Sequence, residues 1–93
     1  MQTTEATFEV DRDKVKEILA RFELPDEVER VETTYRDDHT GDPSVFLTFH
    51  VKDDAKLSQE DIKRLSKFLQ TVVGAMLNEG IGGFPYTRLE QAA

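Results

Sequence analysis

The chain has 93 residues, enough for one hydrophobic core and no second domain, so residues 1–93 read as a single unit with residues 1–6 as a loose, polar tail. Twelve Lys and Arg against nineteen Asp and Glu give a net charge of −7, which opposes a phosphate backbone over most of the surface and argues against nucleic acid as a partner. Zero cysteines exclude disulfides, thiolate catalysis and Cys-ligated zinc and fit a reducing cytoplasm, and the longest apolar run, Val72 to Leu77, is far too short to span a bilayer.

Thr7 to Val10 alternates weakly, with Phe8 and Val10 on one side, and reads as a short first strand. Asp11 then offers an N-cap for a helix in which Val15, Ile18, Leu19 and Phe22 fall on one stripe. That helix must end before Leu24-Pro25, because the residue preceding a proline is pushed out of the α region.

From Glu29 to Arg36 the period becomes two, with Val31, Thr33 and Tyr35 on one side and Glu32, Thr34 and Arg36 on the other. A turn cluster, residues 37–43, leads into Ser44 to Val51, where Val45, Leu47, Phe49 and Val51 alternate with Phe46, Thr48 and His50. These two strands form a hairpin.

Ser58 with Asp61 is a capping-box variant that opens a helix to about Asn78. Its stripe comprises Ile62, Leu65, Leu69, Val72, Val73 and Met76, with Phe68 about 90° from the stripe centre. Gly80 is the expected stop, Ile81-Gly82-Gly83 a flexible hinge, and Phe84 to Glu90 a last strand that Pro85 confines to an edge or a strand start. The long helix makes a right-handed crossover between the second hairpin strand and the last. The fold class is therefore α+β: a two-layer sandwich, an antiparallel-rich sheet with two helices on one face, in βαββαβ (ferredoxin-like) order or, without the first strand, αββαβ order.

Four clusters bear on function. Asp37, Asp38, His39 and Asp42 gather carboxylates and an imidazole at the hairpin tip and could hold a hard cation, but the spacing is no EF-hand, and a solvated turn is the stronger reading. His50 is a candidate base with Tyr35, Arg36 and Arg88 as possible ligand residues, which defines a small enzyme or ligand-binding domain as the alternative function. Ser44, Ser58 and Ser66 sit in no nucleophile motif, so no catalytic residue is assigned and no cofactor is implied. Lys63, Arg64 and Lys67, with Lys14, Lys16 and Arg21, could touch RNA but read as solvated helix faces, having no aromatic residues between them.

The sheet face opposite the helices is the most informative. Phe46, Thr48, His50 and Thr34 have no intramolecular cover there, and Phe68 off its stripe with Tyr86 on the edge strand extend the surface. The expectation is a non-enzymatic module that binds a protein partner or forms a homodimer through these residues. The runs Gly41-Asp42-Pro43-Ser44-Val45-Phe46-Leu47 and Phe84-Pro85-Tyr86-Thr87-Arg88-Leu89, with a valine ahead of Asp53-Asp54, resemble a class of short, uncharacterised bacterial proteins over residues 27–90. Members of that class look like small partners of helical, nucleotide-binding HEPN-type proteins, similar to antitoxins in toxin and antitoxin pairs. The resemblance implies an interaction role with a basic or helical partner, carries no catalytic residue, and fits a cytoplasmic location.

Overall fold

A computed structural model describes residues 9–91. Residues 1–6, expected as a tail, and Thr7 and Phe8 of the expected first strand lie outside the described residues, and Glu9 and Val10 are not in a strand. The elements that follow are α1 (Arg12–Ala20), β1 (Val28–Asp37), β2 (Pro43–Val51), α2 (Gln59–Glu79) and β3 (Phe84–Gln91).

Helix α1 starts where Asp11, in an extended conformation, accepts the Lys14 amide at 3.0 Å. One of the otherwise orphan amides of a helix start is thereby satisfied. Val15 and Ile18 are fully buried, and Leu19 and Phe22 pack against the same cluster. Helix α2 opens with the reciprocal pair expected of Ser58 and Asp61: the Asp61 amide donates to Ser58 Oγ at 3.1 Å and the Ser58 amide to Asp61 Oδ2 at 3.0 Å. It ends at Gly80, whose φ of 78° disfavours any residue with a side chain. Arg21 links the two helices by pairing with Glu79.

Strands β1 and β2 pair antiparallel from Val28↔Val51 to Asp37↔Pro43, with a shift between Val28 and Arg30. Strand β3 pairs parallel with β2 from Ser44↔Phe84 to Val51↔Gln91, as a helical crossover requires. The sheet is thus a mixed, three-stranded one in the order β1-β2-β3, and Pro85 lies on an edge strand. One strand pair is antiparallel, over nine residue partners, and the other parallel, over eight, so the sheet is mixed and not the expected antiparallel-rich one.

The core joins Val15 and Ile18 of α1 and Leu65, Leu69, Val72 and Met76 of α2 to Val45, Leu47 and Phe49 of β2. Burying side chains of this size stabilises the fold by roughly 1.5–3 kcal/mol each before entropy is counted. Ile62, expected within the α2 stripe, is 46% exposed, because the core begins one turn later, at Leu65. The expected hinge is pinned: Ile81 is buried and its carbonyl accepts the Asp11 amide at 2.7 Å.

Candidate functional site

Side chains alternate along a strand, so the register decides which of them share the face away from the core. Four rows cross that face from β1 through β2 to β3. They are Arg36, Ser44 and Phe84; Thr34, Phe46 and Tyr86; Glu32, Thr48 and Arg88; and Arg30, His50 and Glu90.

The first two rows form a ladder. The Arg36 guanidinium lies 3.8 Å from the centre of the Phe46 ring. Phe46 stacks on Tyr86 with centroids 4.9 Å apart and planes 11° from parallel, and Tyr86 leans on Phe84 at 4.8 Å. Phe46 is half-buried by these neighbours and Phe84 is 44% exposed. Cation–π contact and offset stacking hold such rings in place without enclosing them.

The lower rows are polar. Nε2 of His50 lies 2.8 Å from Glu32 Oε1, and Nδ1 lies 3.6 Å from Glu90. The His50 contact holds the Glu32 carboxyl below its ordinary range, helped by the charge of Arg30 and Arg88. Arg88 donates from Nε to Thr48 Oγ1 at 3.4 Å and reaches Glu90 at 3.7 Å. A shallow depression of about 380 Å³ runs between the ladder and these charges, lined by Glu32, Arg36, Phe46, Thr48, Tyr86 and Arg88 among others.

Several expected site residues meet here: Thr34, Phe46, Thr48, His50 and Tyr86, with Arg36 and Arg88. Two do not. Phe68 lies between Phe22, at 6.1 Å, and Phe49, at 5.8 Å, its plane at 89° to each, on the core side. A helix lying on a sheet buries a wider arc than its central stripe, which draws in a residue at its flank. Tyr35 also faces the core, paired with Val45 and covered by the Arg12 guanidinium at 4.4 Å. His50 and Arg88 are therefore on one face of the sheet and Tyr35 on the other.

Sequence reasoning did not single out Glu32, Glu90 or Arg30, which with Phe84 complete the face. The parity of Glu32 and Arg30 within β1 was visible, whereas Glu90 depends on the alignment of β3 against β2, which was not. Overall charge is also a poor guide to this surface. The four rows hold three arginines, Arg30, Arg36 and Arg88, against Glu32 and Glu90, so the acidic excess lies elsewhere.

At the hairpin tip, Asp38 accepts the Thr40 amide at 2.9 Å, the Thr40 hydroxyl at 2.7 Å, the Asp42 amide at 3.0 Å and the Tyr86 hydroxyl at 2.8 Å. These donors, led by Thr40 and Tyr86, hold its carboxyl well below the usual carboxylate range. Among the described residues, no group of three or more His, Asp or Glu side chains is placed to hold a metal ion. Three of the cations considered for RNA are committed internally, Arg64 to Glu27 and Asp61, Arg21 to Glu79 and Glu17, and Lys14 to Glu79. Among the described residues no helix is long and apolar enough to cross a membrane. No family model, curated protein or solved structure matches the chain.

Proposed function

We propose that this chain is a non-enzymatic interaction module, a two-layer αββαβ unit acting in the cytoplasm, whose bare sheet face binds another protein. The Arg36–Phe46–Tyr86–Phe84 ladder carries the reading. A sheet face left to water needs only polar side chains. Phe, Tyr and Arg set side by side are instead the residue types that concentrate at the centres of protein interfaces. The depression beside the ladder offers a partner side chain a place to insert. The likeness of residues 41–47 and 84–89 to small partners of HEPN-type proteins supports the same role and extends it toward an antitoxin-like neutraliser. The net charge of −7, lying largely off this face, favours a basic partner for the remaining surface.

The test is site-specific photocrosslinking in the producing cells. A photoreactive residue at Phe46 is expected to yield a discrete adduct, and the same residue at Lys63, on the exposed side of α2, is expected to yield none. Equal, diffuse labelling from both positions would remove the reading.

A further inference from the structure

We infer that the occupant of this face is a second copy of the same chain, paired about a two-fold axis that runs along β2. The inference rests on reading the face as a docking surface and goes on to name what docks.

An isologous pair places the same patch on both subunits, so the patch must be complementary to itself. When two sheets face one another, a two-fold axis along β2 lays the β1 column of one copy over the β3 column of the other, level by level. The register then sets Arg36 over the partner's Phe84, Glu32 over the partner's Arg88 and Arg30 over the partner's Glu90, each contact occurring twice. Thr34 meets the partner's Tyr86, and on β2 Phe46 faces Phe46 and His50 faces His50, while Ser44 and Thr48, the latter expected without cover, are already buried within each copy. Each Arg and Glu on the face thus finds an opposite charge or an aromatic ring.

The other simple arrangement, a two-fold axis across the strands, lays each strand over its own copy. Arg36 then falls on Arg30, a like-charge contact, and Phe84 falls on the Glu90 carboxylate. Charge selects the axis along β2. The resulting layout gathers the rings of both copies at one end of the interface and the ion pairs at the other, on the two outer strands. Aligned sheets pack about 10 Å apart within about 30° of parallel, so the twist leaves this pairing intact near the centre.

Three strands about 4.8 Å apart and eight residues long, at about 3.3 Å each, give a flat footprint of roughly 400 Å². That is below the ~800 Å² per partner of a standard interface, so the dimer is a weak, exchanging one, with a dissociation constant on the order of 10 µM or above.

Sedimentation equilibrium of the full chain from micromolar to millimolar protein tests this. The unaltered chain is expected to shift reversibly from monomer to dimer. Glu32→Arg and Arg88→Glu are each expected to weaken the dimer about tenfold by setting like charges opposite one another. The double variant returns opposite charges to both sites and is expected to restore it, and Arg30→Glu with Glu90→Arg provides an independent second pair. Circular dichroism confirms that each variant is folded before it is weighed. A chain that stays monomeric, a dimer indifferent to the single changes, or a double variant no better than the singles would each overturn the inference. The Phe46 crosslink separates this from the broader reading. An adduct of twice the 10.6 kDa chain fits self-pairing, whereas a monomeric chain crosslinked to a different protein overturns it and leaves the interaction module standing. No adduct and no dimer would remove both.

Discussion

Tyr86 donates its hydroxyl to Asp38 Oδ2 at 2.8 Å, joining the edge strand to the hairpin turn across 48 residues of chain. The same phenol ring stacks on Phe46, so one side chain fixes both the turn and the aromatic ladder.

This bond makes stability depend on pH in two windows. Asp38 is depressed in the folded state by the Thr40 and Tyr86 hydroxyls, so its contribution is complete above the unfolded value, near pH 4, and is lost as pH falls below that. The phenol of Tyr86 is raised by its bond to Asp38, so its contribution is complete below about pH 10 and is lost as pH rises further. Thermal melts across both ranges check this. Asp38→Asn should flatten the acid limb, and Tyr86→Phe should flatten the alkaline limb and lessen the acid one. An Asp38→Asn variant with the parent's acid slope would contradict the assignment.

Two glycines should respond in opposite directions to the same change. Gly74 lies within α2, and a methyl group there meets nothing within 4 Å. Gly74→Ala should stabilise the protein by about 0.5–1 kcal/mol, by restricting the unfolded chain and improving helix propensity. A methyl group on Gly83 would fall 2.5 Å from Val10 Cγ2 and 2.7 Å from the Pro43 carbonyl oxygen. Gly83→Ala should therefore cost about 1–3 kcal/mol, since backbone must move. Urea denaturation midpoints of the two variants settle the sign of each.

What the sequence made legible was what is local. The stripe through Val15 and Ile18, the Ser58–Asp61 cap and the alternation from Val45 to Val51 are each written within a few residues, and the structure places each as its spacing requires. The rows of the bare face depend on register, which the hairpin turn fixes between β1 and β2 but which only packing of the long crossover fixes between β2 and β3. The contact of His50 with Glu90 was hidden for that reason. Phe68 misled because angular distance from a stripe measures the helix alone, whereas the rings of Phe22 and Phe49 that enclose it come from other elements.

Phe68 and Phe46 provide the last contrast, because sequence reasoning placed them on one surface and the structure places them on different ones. The Phe68 ring lies between Phe22 and Phe49, perpendicular to both, so Phe68→Ala opens a cavity beside the core. The expected cost is about 3 kcal/mol, read as a lowered denaturation midpoint. Phe46→Ala removes one stacked ring and one cation–π contact at a partly exposed site, about 1–2 kcal/mol. The order reverses for association. Phe46→Ala should abolish concentration-dependent sedimentation while the chain remains folded, and Phe68→Ala, measured well below its own unfolding temperature, should leave it unchanged. If Phe68→Ala proved the more damaging to association, the binding surface would lie on the helical side and the ladder would be ordinary surface packing.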